Sequence, residues 1–242
     1  MHQAGFVIPK AGLETLGLKN PGNVYWNLQV PALYEEAIRR REGTVAEGGA
    51  LVVRTGVHTG RSPNDKFFVE DDQSKGRIDW GKTNKPISPV RYRALYNRML
   101  AYAQRRDLFV RDCWAGADPA HRIGVRVINE TAWHNLFARN MFLRPRPQEL
   151  AGFNPDFTIL NLPGFQAEPA LDGTASDCAV LVNFTDRVVA ICGTWYAGDI
   201  KKSVFTILNY LLPDKNVLPM HASANIGPKG DVYLSPSNMV PA

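Results

Sequence analysis

Residues 178–214, CAVLVNFTDRVVAICGTWYAGDIKKSVFTILNYLLPD, contain the pattern that decides the fold. Two apolar runs, 178–184 and 188–193, are separated by three polar residues, so they predict two strands joined in a hairpin. A glycine-containing loop follows. Residues 199–214 then repeat apolar side chains at helical spacing, at positions 204, 207, 208 and 211. A strand pair that leads directly into a helix indicates an α/β protein.

The rest of the chain alternates in the same way. Helices are predicted over 31–43, 88–106 and 131–145. Further strands are predicted over 49–56, 65–71, 107–116, 122–130, 157–164, 217–227 and 230–234. Residues 1–30 and 72–87 are predicted to be irregular. Because some neighbouring strands form hairpins and others flank helices, we expect an α/β fold with a mixed β-sheet flanked by helices.

Composition and charge narrow the class of protein. The 242 residues are 45% hydrophobic and 21% charged, which is ordinary for a globular domain with its own core. The net charge of +5 is dispersed, except for three arginines at 39–41, where a predicted helix ends and cations favour its dipole. A nucleic-acid-binding protein would more often show a dense basic stripe. We therefore expect no nucleic-acid partner and a preference for small anionic substrates.

Targeting signals and cysteines give a further expectation. No apolar run approaches the ~20 residues of a transmembrane helix, and the N-terminal residues lack the pattern of a secretory signal. Cys113, Cys178 and Cys192 are far apart and form no C-x-x-C pair. We expect a protein without a membrane partner, in a reducing compartment, with three buried thiols.

The first candidate site is the loop TGVHTGRSP at 55–63. Its glycines would let backbone N–H groups approach an anion closely. Arg61 adds a planar guanidinium that matches a carboxylate or a phosphate with two hydrogen bonds. The alternative is a turn between strands with a solvated arginine, and the residues alone leave both open.

The second candidate site is GTWYAGDIKKS at 193–203, between a strand and a helix. Gly193 and Gly198 have the spacing of a phosphate-binding P-loop, but Asp199 stands where that motif needs lysine. Lys201 and Lys202 fall in the first turn of the helix, where cations oppose the helix dipole unless an anion lies nearby. The alternative is a pair of solvated lysines.

The third candidate is His221 in MHASANIGPKGD at 220–231. It follows a short apolar run and precedes small residues. A single histidine is more often structural than a ligand. It would serve as a ligand of a first-row metal ion if further ligands joined it.

Taken in order, seven stretches resemble the ATP-dependent phosphoenolpyruvate carboxykinase family. They are TGVHTGRSPNDKFFVEDD, NKPISP, LFVRDCWAGADP, RVINETAWHNLFARNMFLRP, ELAGFNPDFTILN, GTWYAGDIKKSVFTILNYLLP and MHASANIGPKGDV. The resemblance implies the fold of that family's N-terminal domain. It also implies a carboxy-lyase that converts oxaloacetate and ATP into phosphoenolpyruvate, ADP and CO2, with Mg²⁺ and Mn²⁺, in cytoplasmic gluconeogenesis.

The resemblance also implies roles for individual residues. Arg61 corresponds to the arginine that holds the substrate carboxylate, and Tyr196 to a tyrosine that contacts the substrate. Lys202 corresponds to a lysine that ligates Mn²⁺ and touches the transferred phosphate. Lys201 corresponds to a lysine near the phosphates, and His221 to a second protein ligand of Mn²⁺. A metal-bound lysine must be neutral, so its pKa must be depressed by neighbouring cations.

The sequence departs from the family after Val232. There the family continues into a glycine-rich loop with GKT, a third metal ligand and the adenine site, whereas this chain reads YLSPSNMVPA. We therefore expect a substrate-side domain at 1–232 and a divergent tail at 233–242. The ATP site would lie largely in a missing nucleotide domain.

Three hypotheses follow from this departure. The chain is an incomplete, inactive carboxykinase, which leaves open a separate chain that carries the nucleotide domain. Alternatively, it is a module that binds dicarboxylates or phosphoenolpyruvate without catalysis, or it is a non-functional fragment.

Overall fold

The computed structural model describes residues 3–5 and 12–236. Its strands are β1 (Gln3–Gly5), β2 (Val24–Trp26), β3 (Gly43–Val45), β4 (Leu51–Val53), β5 (Lys66–Val69), β6 (Lys85–Ile87), β7 (Leu108–Ala115), β8 (Ile123–Asn129), β9 (Phe157–Leu162), β10 (Ala179–Asn183), β11 (Val188–Cys192), β12 (Ala222–Ile226) and β13 (Val232–Pro236). Its α-helices are α1 (Val30–Arg39), α2 (Pro89–Ala103), α3 (Ala132–Met141), α4 (Pro147–Leu150), α5 (Pro169–Asp172) and α6 (Gly198–Leu211). The chain divides into two compact units, with the boundary between Ser203 and Val204.

The first unit contains a mixed sheet in the order β1-β2-β7-β8-β9-β11-β10-β5-β6. The pairs β7–β8 and β10–β11 are antiparallel, and the other neighbours are parallel. The hairpin predicted at 178–193 is confirmed, with Ala179 opposite Cys192 and Asn183 opposite Val188. The predicted fold class, an α/β fold with a mixed sheet flanked by helices, is therefore confirmed.

Helices cover both faces of this sheet. Every residue of β8, β9, β10 and β11 is buried, as expected for strands with no face in water. On one face, α2 packs Leu95 and Met99 against the sheet with no exposed surface. On the other face, α1 and α3 bury Leu33 and Leu136 beside Phe109. Burial of each such side chain stabilises the fold by about 1.5–3 kcal/mol.

Two regions predicted to be irregular contain strands. β2 lies within 1–30 and pairs in parallel with β7, with Trp26 only 1% exposed. β6 lies within 72–87 and pairs in parallel with β5 at the edge of the sheet. Both are three residues long, too short to show a strand period, and neighbouring strands supply their hydrogen bonds. Residues 1–2 and 6–11 of the first region lie outside the described part.

Smaller features complete the first unit. Strand β4 leads towards the glycine loop as predicted, but it pairs with β3 in a separate two-stranded sheet. The three cysteines are buried and free, as predicted. No helix in the described part is long and apolar enough to cross a membrane.

The second unit consists of the C-terminal part of α6 and the antiparallel pair β12–β13. Both predicted final strands are therefore confirmed, and their described side chains are exposed. Of the tail predicted at 233–242, residues 233–236 complete β13, and residues 237–242 lie outside the described part. The domain boundary at Val232 stays a prediction.

Candidate anion-binding site

A pocket of about 470 Å³ lies in the first unit where β11 leads into α6. It is lined by Thr55, Arg61, Trp133, Phe137, Met141, Tyr196, Ala197, Gly198, Lys201 and Lys202. Four of the five predicted site residues, those at 61, 196, 201 and 202, therefore line one pocket. Because they come from segments more than 130 positions apart, only the tertiary fold brings them together.

The loop between β11 and α6 needs its two glycines. Gly193 has φ +71°, and a Cβ there would collide with the carbonyl oxygen of Asp177. A Cβ on Gly198 would collide with the ring of Tyr196, which lies over the start of α6. Between them, the Tyr196 N–H donates to Thr194 Oγ1 at 3.1 Å. These contacts hold the tyrosine ring beside the first turn of the helix.

Helix α3 supplies the apolar wall of the pocket. Trp133, Phe137 and Met141 recur every four residues, so they fall on one face of the helix. Glu42 holds the start of α3, because its carboxylate accepts the N–H groups of Ala132 at 3.1 Å and Trp133 at 2.9 Å. Sequence reasoning predicted the helix but not this use of its aromatic side chains.

His134 joins the loop between β11 and α6 to helix α3. It is 1% exposed, with Nε2 3.1 Å from the carbonyl oxygen of Trp195 and Nδ1 2.6 Å from Thr131 Oγ1. A carbonyl can only accept, so Nε2 carries the proton and Nδ1 accepts from the hydroxyl. Burial lowers the pKa of His134 to about 3, so the ring is neutral at pH 7. Sequence reasoning missed this role because it depends on Trp195, far along the chain.

The charges around the pocket are predominantly positive. Burial lowers the pKa of Lys202, and Lys201, Arg61 and Lys66 lower it further by repulsion. Burial also lowers the pKa of Lys66, on β5. Two of these cations stand in the first turn of α6, where the helix dipole disfavours them. An anion in the pocket would offset the repulsion among these cations and their unfavourable interaction with the helix dipole.

Asp199 is a carboxylate that sequence reasoning did not place in the site. It is 6% exposed, and its Oδ2 has no hydrogen-bond partner among the described residues. Burial raises its pKa to about 6, although the charges of Lys66 and Arg61 act in the opposite direction. When the negative charge of Asp199 is counted, the positive charges around the pocket remain in excess.

The metal site stays a prediction. Lys202 lines the pocket, and its pKa is lowered by burial and neighbouring cations, which is the direction that an amine ligand requires. His221 belongs to the second unit, where its ring lies 5.7 Å from that of Phe205, centroid to centroid. Within residues 3–5 and 12–236, no three His, Cys, Asp or Glu side chains form a group that could hold a metal ion.

A literal P-loop pattern, GRIDWGKT at 76–83, escaped the sequence analysis. The pattern binds phosphate when a strand leads into it and a helix begins at its end. Here it forms an exposed turn, and the next element is strand β6 rather than a helix. The turn therefore lacks the helix N-terminus that a P-loop uses.

The fold and this pocket define an α/β protein with a cationic pocket at the start of a helix. A family profile described as phosphoenolpyruvate carboxykinase matches residues 22–235. The chain belongs to the phosphoenolpyruvate carboxykinase family, and the resemblance found in the sequence is confirmed.

Individual relatives agree with the profile. The chain is 54% identical over 224 residues to the phosphoenolpyruvate carboxykinase (ATP) of Geobacter sp. (strain M21), a match covering 93% of this chain. It is 53% identical over 223 residues to phosphoenolpyruvate carboxykinase (ATP) 2 of Moorella thermoacetica, a match covering 92%. The chain spans 42% of the length of each of these relatives.

Proposed function

We propose that this chain carries the substrate-binding part of an ATP-dependent phosphoenolpyruvate carboxykinase. The reaction decarboxylates oxaloacetate and phosphorylates the resulting enolate to give phosphoenolpyruvate, ADP and CO2. The observation that carries the proposal is the convergence of Arg61, Tyr196, Lys201 and Lys202 on one pocket. Its volume of about 470 Å³ is ample for a four-carbon dicarboxylate or a three-carbon phosphorylated acid.

Each of these side chains has a role suited to its chemistry. The Arg61 guanidinium holds the substrate carboxylate with two hydrogen bonds. The Tyr196 hydroxyl orients the substrate against the start of α6. Lys201 balances negative charge on the transferred phosphoryl group, while Trp133 and Phe137 exclude water from one side.

The proposed cofactors are a divalent metal ion and ATP. Lys202 and His221 would supply nitrogen ligands, which favour Mn²⁺ over Mg²⁺ at this position, and Mg²⁺ would accompany the ATP phosphates. When bound, the metal ion would stabilise negative charge on the enolate oxygen. We place the activity in cytoplasmic gluconeogenesis, as in the family that the sequence resembles.

A binding measurement tests the proposal. We expect calorimetric titration of the purified chain to detect phosphoenolpyruvate, with affinity enhanced by Mn²⁺. Arg61→Ala should weaken binding about tenfold or more, because a hydrogen bond to a charged group is worth about 1.5–3 kcal/mol. Arg54→Ala is the matched control, since Arg54 is exposed on the same segment but lines a different pocket. Equal binding by Arg61→Ala and wild type would remove Arg61 from the site.

Turnover distinguishes an incomplete enzyme from a complete one. Phosphoryl transfer depends on positioning and neutralising the ATP phosphates, and the literal P-loop pattern of this chain forms a turn without a helix. We therefore expect the 242-residue chain to bind phosphoenolpyruvate without forming it from oxaloacetate and ATP. Sustained ATP-dependent product formation by the chain alone would contradict this. A folded chain that binds no phosphoenolpyruvate would instead support the non-functional alternative.

A further inference from the structure

A second, smaller pocket of about 230 Å³ lies in the first unit beside β7 and α3. Its lining includes three arginines, at positions 111, 139 and 144, together with Asn27, Gln29 and Asp112. None of these residues lines the pocket that contains Arg61. We call this group the arginine pocket.

Arg111 is the one buried arginine among the three that line the arginine pocket. It is 4% exposed, and its Nε and Nη2 both donate to Asn135 Oδ1 at 3.0 Å. Nη2 also donates to the carbonyl oxygen of Leu28 at 2.5 Å. Its hydrogen bonds within the described residues therefore go to neutral oxygens. A buried guanidinium without a carboxylate is expensive to maintain, since neutral acceptors offset only part of its desolvation.

The carboxylate of the arginine pocket, Asp112, already forms an ion pair with a residue outside the pocket. Asp112 accepts from Arg126 Nε at 2.7 Å and from Arg126 Nη2 at 3.1 Å, one oxygen for each nitrogen. Arg126 does not line the pocket. Asp112 and Arg126 thus neutralise each other, and the charges of the three lining arginines remain in excess.

Unpartnered donors surround the same space. Arg139 Nη2 donates to Gln29 Oε1 at 3.2 Å, but Arg139 Nε is buried and has no hydrogen-bond partner in the described part of the chain. Asn27 is 2% exposed, and its Nδ2 makes no regular hydrogen bond there, although its side chain lies close enough to the Asp112 carboxyl to lower the pKa of that group. Its Oδ1 accepts the N–H of Asp112 at 2.9 Å, which fixes the side chain. Buried donors are nearly always satisfied, so the unpartnered Arg139 Nε indicates an acceptor from outside the chain, either water or a ligand.

We propose that the arginine pocket binds a small oxyanion through a carboxylate or phosphate group. The anion would accept hydrogen bonds from guanidinium groups, which match both chemistries with two parallel bonds. It would also balance the mutual repulsion of the three arginines. Burial, reinforced by Arg139 and Arg144, lowers the pKa of Arg111 to about 10, so the residue remains charged at pH 7.

The arginine pocket is distinct from the proposed substrate site because the two use different faces of α3. Trp133 and Phe137 face the first pocket, while Asn135 contacts Arg111 and Arg139 lines the second. Residues two apart in a helix differ by about 200° in direction, so these side chains point to roughly opposite sides. One helix therefore separates the two cationic pockets.

The test is titration of the Arg61→Ala chain with inorganic phosphate and, separately, with succinate, followed by NMR. Arg61→Ala removes the main anion-binding side chain of the first pocket. On this background, Arg144→Gln should weaken binding about fivefold or more, as expected for loss of one charge-assisted contact. Arg146→Gln is the matched control. It removes the same charge two positions away, from a side chain that is 79% exposed and lies outside the pocket lining.

The expected result is saturable binding that shifts the signals of Asn27 and Arg139, weakens in Arg144→Gln and persists in Arg146→Gln. Arg139→Gln should weaken binding as well, and melting curves would show that each variant folds. The tighter of phosphate and succinate identifies the preferred group. Equal weakening by Arg144→Gln and Arg146→Gln would reduce the effect to general surface charge and overturn the proposal. Absence of saturable binding to the folded chain would overturn it too.

Discussion

Two buried aspartates, Asp112 and Asp199, show how differently this fold treats a carboxylate. Asp112 on β7 lies directly opposite Arg126 on β8, and both of its oxygens accept from that guanidinium. Asp199 in the first turn of α6 has one oxygen without a hydrogen-bond partner among the described residues, although Lys66 and Arg61 lie near enough to act on its charge. The first arrangement is complete without a ligand, and the second is not.

The difference separates a carboxylate that stabilises the fold from one that lies beside a candidate functional site. A charge inside a protein is tolerated when hydrogen bonds and an opposite charge satisfy it, and such a pair restrains the fold. A buried charge with incomplete partners lowers stability, and such groups cluster at functional sites. The Asp112–Arg126 pair thus belongs to the architecture of the sheet. Asp199 lies beside the pocket of Arg61 and Lys202, and its Oδ2 has no hydrogen-bond donor among the described residues.

The largest loss of stability is expected from breaking the ion pair between Asp112 and Arg126. Arg126→Met keeps an apolar stem of similar length but leaves Asp112 buried without the guanidinium to which both of its oxygens are bonded. Loss of one partner of a buried ion pair typically costs about 3–5 kcal/mol, so the free energy of unfolding should fall by that order in urea titrations. Arg146→Met, at a side chain that is 79% exposed, is the control and should change it by under about 0.5 kcal/mol. Equal effects for the two variants would mean that Asp112 is not restrained by Arg126.

The sheet could be predicted from the sequence because its strands carry their own pattern. The hairpin at 178–193 is a pair of apolar runs around a polar turn, and α6 repeats its apolar residues at helical spacing. In contrast, β2 and β6 have three residues each and pair with strands distant in sequence, so local pattern does not reveal them. The wider lesson is that periodicity predicts long elements, while short strands depend on their neighbours.

The candidate site was predictable only in part. Arg61, Lys201 and Lys202 stood out because their local sequence is unusual for a loop and for a helix start. Lys66, His134 and Asp199 did not, because their importance comes from contacts across the fold. His134 acts through the carbonyl of Trp195, and Asp199 through burial near Lys66. No spacing rule predicts such relations.

Asp199→Asn is expected to raise the free energy of unfolding, by less than Arg126→Met lowers it. Burial raises the pKa of Asp199 from its ordinary value of 3.8 to about 6, so the folded state binds the proton more strongly than the unfolded state does. The wild type therefore loses stability as pH rises from about 4 to about 6, and stays at the lower level above that. Each unit of pKa difference corresponds to about 1.4 kcal/mol, which sets an upper limit of about 3 kcal/mol.

Thermal melts at pH 4 and pH 8 would check the sign of this effect. The neutral asparagine removes the penalty, so Asp199→Asn should melt at a higher temperature than wild type at pH 8, with about 1–3 kcal/mol gained. The difference should shrink to about 0.5 kcal/mol at pH 4, where the carboxyl is protonated in the folded state but only partly protonated in the unfolded state. A variant that is less stable at pH 8 would mean that Lys66 and Arg61 compensate Asp199 fully.

The smallest effect is expected at an ion pair that is complete but exposed. Arg93 Nη2 lies 2.8 Å from Asp186 Oδ2, with side chains that are 55% and 33% exposed. Water already solvates both charges, and dissolved ions screen them. A double-mutant cycle with Arg93→Gln and Asp186→Asn should therefore give a coupling free energy of about 0–1 kcal/mol. The coupling should shrink further at 1 M salt, where the screening length is about 3 Å. A salt-resistant coupling as large as the cost of Arg126→Met would show that pairing alone, without burial, sets the energy of these charges. A small one would show that the cost of Arg126→Met comes from the burial of Asp112 and not from pairing alone.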